Sequence, residues 1–346
     1  MSDASGASPD DRAAEQQTPP AGGAGAHAGT EDPGAAFQAH VRSAREEFEQ
    51  HVAHARAEFE ERNERIKART GRDLIVAILI GLGIGALVLG SLLWVKDLFA
   101  LFALAAVLLG VFEFSRALVG AGHRVDLVPQ LIGAAALMTG AYLLDIRMLW
   151  VALFVVVAFV LVWRMFAQMV ARDGRRYGDV LGDVVIAGFV QLYVAFMGAT
   201  CVVLLEQDRG EWWVLSFIII AVAADTGAYI AGITLGRHKM APRISPNKTW
   251  EGFSGAVVAV VIAGLLLANF MLFLPWWAGV VFGLVVLGTA TIGDLGESMI
   301  KRDLGIKDMS SWLPGHGGVL DRLDSILPSA TAALALYILL SPLQAV

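Results

Sequence analysis

From residue 74 onward the chain is a succession of apolar runs of about 20 residues, each long enough to cross a bilayer as a helix. About nine can be drawn, at 74–95, 98–119, 126–144, 147–166, 180–205, 212–236, 252–273, 276–300 and 322–342. A chain patterned this way is an all-α, polytopic integral membrane protein. Its 56% hydrophobic content exceeds that of ordinary soluble domains because the excess sits in these runs. Gly81 and Gly85 form a GxxxG in the first run, for which a helix contact is the plain expectation.

The residues before the first run divide in two. Residues 1–34 are rich in Ala, Gly, Pro, Ser and Asp, and cannot bury enough apolar surface to offset chain entropy, so disorder is expected. Residues 35–73 are predicted to form a charged amphipathic helix. There HVRSAREEFEQ is followed at once by HVAHARAEFEE, an 11-residue near-repeat that lines up Phe37, Val41, Phe48, Val52 and Phe59. Self-association through that stripe and rest on the membrane surface are both open. Residues 74–346 form the membrane domain.

The placement of charge says more than the net −6. With the N-terminus in the cytoplasm, the inner connections hold fourteen lysines and arginines and the outer ones three, Lys96, Arg147 and Arg209. That puts the two unusual loops, 237–251 and 301–321, on the cytoplasmic side. The lone cysteine, Cys201, excludes an internal disulfide or a thiolate-rich zinc site.

Aspartates continue into the spans. Asp225 lies about 18 Å, and Asp294 about 10 Å, from the cytoplasmic end of its helix at 1.5 Å per residue. Charge at that depth needs a partner, water or metal, and marks a functional site, with an interhelical salt bridge as the plainer reading. Asp294, Ser298 and Lys301 share one helix face, with Glu297 at its edge. Asp321 and Asp324 open the last run, where capping of the helix start competes with function for Asp321. Carboxylates brought together from the last two helices make a hard oxygen site suited to Mg²⁺.

The loops supply the complement. GRHKMAPRISPNKTWEG carries Arg237, Lys239, Arg243 and Lys248 beside Ser245 and Thr249, and KRDLGIK carries Lys301, Arg302 and Lys307. Cations beside hydroxyls suit phosphates, although attraction to anionic headgroups also accounts for the basic residues. Gly315, Gly317 and Gly318 around His316 form either a backbone nest for pyrophosphate or a tight turn.

SMIKRDLGIKDMSSWLPGHGGVLDRLD, residues 298–324, resembles the signature of the phosphatidate cytidylyltransferases, with S-x-x-K-R, K-D and H-G-G-x-x-D-R-x-D in order. GDLGES around Asp294, DTGAY from Asp225 and SPNKTWEG from Ser245 also resemble family elements, as, more weakly, does FEFSRAL around Glu113. The resemblance covers roughly residues 74–346.

It implies Mg²⁺-dependent transfer of CMP from CTP to phosphatidic acid at the cytoplasmic membrane, with the active site facing the cytoplasm. Under it, Asp294 and Asp321, with Asp225 on the metal side, hold Mg²⁺ with or without a second cation. Lys301, Arg302 and Lys307 bind phosphates. Ser245, Asn247, Lys248 and Thr249 contact CTP, joined by His316, Gly317 and Gly318. Asp324 orients Arg322 or Lys301. The partners implied are CTP, phosphatidic acid, the bilayer and a second copy in a homodimer, with no nucleic acid. A CTP-using polyprenol or phytol kinase, an archaeal-lipid cytidylyltransferase and a cation-coupled transporter are the competing readings.

Overall fold

The computed structural model describes residues 74–171, 174–310, 312 and 317–344, and His51 besides. The expected tail over 1–34, the expected amphipathic helix over 35–73 (His51 apart) and His316 lie outside the described residues.

The described chain forms nine apolar helical segments in the order drawn from the sequence. They are α1 (Leu74–Trp94), α2 (Lys96–Gly120), α3 (Leu127–Leu143), α4 (Ile146–Ala171) and α5 (Tyr177–Leu205), then α6 (Gly210–Leu235), α7 (Trp250–Leu272), α8 (Trp276–Asp303) and α9 (Leu320–Leu343). Seven of them, α2 and α4 to α9, are long and apolar enough to span a membrane. α3 has 17 residues, and of α1 only the part Leu79–Trp94 is described in full, so nine crossings are not established.

Helices suit these runs because each satisfies its own backbone hydrogen bonds, a requirement in lipid. The outer surface is what a bilayer asks for. Phe154, Val155, Val185, Ile233 and Ile262 are exposed, while Trp94 and Trp276 stand out at helix ends, where indoles favour the interface. A Cβ on Gly85 would meet nothing within 4 Å, so among the described residues no helix packs closely on that glycine.

Polar side chains tie the interior. In α5 a π-helical turn, Gln191–Phe196, interrupts the α-helix, and the buried Gln191 amide donates to the Gln130 carbonyl of α3 at 2.8 Å.

Three features position the site. α6, α7, α8 and α9 pack in succession. Between α6 and α7 the chain forms a two-stranded antiparallel hairpin, β1 (Lys239–Ala241) and β2 (Ser245–Thr249), where the sequence had suggested a basic loop. Its base is held by Glu251, which accepts from the Arg237 N–H at 3.0 Å and the His238 N–H at 3.1 Å. Thr249 caps α7 through its hydroxyl oxygen, which accepts from the Gly252 N–H at 3.1 Å.

The third feature is a break in α9 between Leu320–Leu323 and Ile326–Leu340. Pro328 has no N–H to bond the Asp324 carbonyl one turn earlier, so that carbonyl is released from the helical ladder. Gly293 of α8 packs on it, and a Cβ there would collide with the Asp324 carbonyl oxygen and approach Pro328 Cγ to 2.8 Å. The close approach sets Asp294 beside the start of α9.

Candidate active site

A cavity of about 660 Å³ opens between α6, the hairpin, α8 and α9. Asp225 reaches it from α6, Ser245, Asn247, Lys248 and Thr249 from β2, Asp294 and Lys301 from α8, and Asp321, Arg322 and Asp324 from α9. Apolar side chains line it too, among them Ile218, Val222 and Leu287. Two other concavities, of about 500 Å³ on α4 and about 460 Å³ between α2 and α3, are lined by apolar side chains such as Phe159 and Ile132. The charged cavity alone among these three has the groups for chemistry.

Lys248 meets Asp294 across it, with Nζ 2.5 Å from Oδ2, and the Ser298 hydroxyl lies 3.4 Å from Oδ1. Asp225 is within electrostatic reach of Asp294, Lys248 and Arg322. Lys301 is held from two sides. It pairs with the fully buried Glu297 one turn earlier on α8, and its Nζ lies 3.0 Å from Asp321 Oδ1. Burying an unpaired carboxylate costs several kcal/mol, so Glu297 and Lys301 require one another.

Asp321 does not cap its own helix. Its carboxylate accepts from the Gly318 N–H at 2.7 Å and the Met309 N–H at 3.0 Å, both earlier in the chain. It stitches the preceding loop to Lys301. The Gly318 N–H is therefore turned toward a carboxylate, while Gly317 takes a positive φ of 82°. Asp324 accepts from the Ser325 N–H at 2.6 Å and lies against Glu297, with Lys301 and Asp294 within electrostatic reach.

The sequence-based candidates thus divide. Asp225, Ser245, Asn247, Lys248, Thr249, Asp294, Lys301 and Asp321 share the cavity. Arg302 and Lys307 are exposed and are not on its wall. Gly317 and Gly318 lie beside Asp321 rather than on the wall. Glu297 and Asp308 were under-read. Asp308 lines the cavity, and the signal for it was the K-D pair. For Glu297 the signal was an acid four residues before Lys301 inside an apolar run.

Among the described residues no group of three or more His, Cys, Asp or Glu side chains closes into a ready metal site. The donor chemistry nonetheless fits a hard cation. Carboxylates from α6, α8 and α9 line one cavity, and the Lys248 ammonium already stands against Asp294. Asp294 and Asp225 fit that task more readily than Asp321, whose oxygens already take Lys301 and two backbone N–H groups.

The profile of the cytidylyltransferase family matches residues 75–340. The chain is 39% identical over 284 residues to a phosphatidate cytidylyltransferase of Mycobacterium bovis, an alignment covering 79% of this chain and 91% of the relative. It is 36% identical over 282 residues to the protein of the same name from Mycobacterium leprae, covering 79% and 90%. A Staphylococcus saprophyticus phosphatidate cytidylyltransferase is 38% identical over 143 residues, covering 41% and 55%.

Proposed function

The chain belongs to the cytidylyltransferase family, and from that premise we propose that this integral membrane protein transfers CMP from CTP to phosphatidic acid, giving CDP-diacylglycerol and pyrophosphate. The observation that carries the reading is the Lys248–Asp294 pair, in a cavity lined by ionic groups together with apolar residues of the long helices. Such a cavity suits two anions, one soluble and one anchored in lipid.

Phosphatidate needs no general base, because its phosphate is already an anionic nucleophile. One of its oxygens bonds to the α-phosphorus of CTP while the bond from that phosphorus to the β-phosphate oxygen breaks, and pyrophosphate leaves. The main barrier is repulsion among anions, which fixed cations and alignment lower. Lys248, on the hairpin, exchanges Asp294 for the triphosphate. Ser245 and Asn247 beside it orient the nucleotide, and Thr249 fixes the hairpin to α7. Lys301, locked by Glu297 and Asp321, presents one ammonium at a set position to the reacting phosphates. Arg302 and Lys307, exposed and off the cavity wall, attract the anionic substrates and leaving group through their charge.

Mg²⁺ would be held by Asp294 with Asp225 and Asp321, and when bound it supplies charge neutralisation at phosphate oxygens. The basic connections support a cytoplasmic-membrane setting with the cavity and the N-terminus toward the cytoplasm. A homodimer is in keeping with the family resemblance. Product analysis with labelled CTP tests the reading. Equal amounts of CDP-diacylglycerol and pyrophosphate are expected, whereas release of CDP would make the protein a lipid kinase.

A further inference from the structure

Glu113 is an oddity in α2. It sits between two phenylalanines, is 2% exposed, and does not line the cavity. A carboxylate so buried needs strong donors. It finds three, all about 200 residues away in sequence. The Ser310 hydroxyl donates to Oε1 at 2.5 Å, the Val319 N–H to Oε1 at 3.0 Å, and the Leu320 N–H to Oε2 at 2.9 Å. These two amides open α9, where backbone N–H groups have no partner within the helix.

The fit leaves no room for a side chain at Gly318. A Cβ there would lie 2.6 Å from Glu113 Oε2 and 3.0 Å from Ser310 Oγ. The next residue after the clamped amides is Asp321, which receives Lys301 and the Met309 and Gly318 N–H groups. Glu113 therefore ties the connection from α8 to α9 at two points, partway along at Ser310 and where it enters α9 at Val319–Leu320. Through that connection it determines where Asp321 stands, and hence where Lys301 stands.

We propose that Glu113 is a positioning residue for nucleotidyl transfer, holding Asp321 and Lys301 in register from a helix that contributes nothing to the cavity wall. The inference rests on reading the cavity as the CTP:phosphatidate transfer site. Misplacement of a reacting group by about 1 Å is enough to cost up to about a hundredfold in rate.

The test compares Glu113→Gln, Ser310→Ala and the unmodified full chain, purified in detergent. Three things are read: kcat per folded protein, KM for CTP, and amide hydrogen exchange at Val319 and Leu320. Glu113→Gln keeps the shape of the side chain but replaces one acceptor oxygen with a donor. It is expected to lower kcat at least about tenfold, leave KM for CTP within about threefold, and speed exchange selectively at those two amides. Ser310→Ala removes one of three bonds and is expected to lower kcat about threefold with the same selective exchange. Full kcat in Glu113→Gln, or a loss accompanied by uniform exchange along the chain, overturns the positioning role. If Glu113→Gln does not fold, Ser310→Ala decides, and unchanged kcat and exchange there overturn it. Absence of CDP-diacylglycerol from the unmodified chain would instead sink the underlying reading.

Discussion

Lys248 and Asp294 meet across the cavity with Nζ 2.5 Å from Oδ2, one carried by a two-stranded hairpin and the other by a spanning helix. On the proposed function, Lys248 is the cation that passes from Asp294 to the triphosphate. Lys248→Ala should raise KM for CTP about tenfold or more and change KM for phosphatidate much less, because a fixed charge-assisted contact to one substrate is lost. Steady-state kinetics with each substrate varied in turn checks this, and equal effects on both would count against a triphosphate role.

Lys301 between Glu297 and Asp321 gives a prediction about stability. Lys301→Met leaves the buried Glu297 carboxylate without its cation and should destabilise the protein by roughly 3–5 kcal/mol. Adding Glu297→Gln should restore most of the melting temperature in detergent and none of the activity, since the ammonium is still missing. A double variant no more stable than the single one would show that an unpaired Glu297 carboxylate is not the source of the loss.

Gly293 tests the geometry that brings α8 and α9 together. Gly293→Val should force the Asp324 carbonyl away and cost about 1–3 kcal/mol through overpacking. Activity should fall at least about tenfold, because Asp294 and the start of α9 separate. Helical content by circular dichroism should stay the same, and a fully active variant would refute the close-approach argument.

The spans were legible because about 20 apolar residues in a row allow few alternatives. Asp225, Asp294, Lys301 and Asp321 were legible for the converse reason, since charge inside such runs is costly without a task. The hairpin was not. KMAPRISPNKT has a proline in each half and no alternation, and its pairing depends on Glu251 gripping the Arg237 and His238 amides. The spacing of Glu297 and Lys301 was visible, but complete burial of Glu297 depends on α9 packing against α8. The run drawn at 322–342 passed over Pro328, the residue that breaks α9, and what the break does emerges only with Gly293 in place. The π turn at Gln191–Phe196 left no mark in the pattern, because the same apolar run serves either helix. Arg302 and Lys307 were drawn into the site by charge alone, and in the structure both are exposed and off the cavity wall.

Orientation in the membrane can be read with a single engineered thiol. Cys201 is buried, so Arg243→Cys on the hairpin turn supplies the reactive cysteine among the described residues. An impermeant maleimide should label it in inverted membrane vesicles and spare it in right-side-out ones. The opposite pattern would place the hairpin, and the cavity beneath it, on the outer face.

The central claim is that acidic side chains of the spanning helices, Asp294 foremost, organise a cation and two phosphate substrates. The most direct measurement is the rate of CDP-diacylglycerol formation from CTP and phosphatidate by purified protein, with and without Mg²⁺, for the unmodified chain and Asp294→Asn. The account predicts Mg²⁺-dependent turnover that falls about a hundredfold or more in Asp294→Asn. Turnover in Asp294→Asn close to that of the unmodified chain, at the same Mg²⁺ concentration, would contradict it.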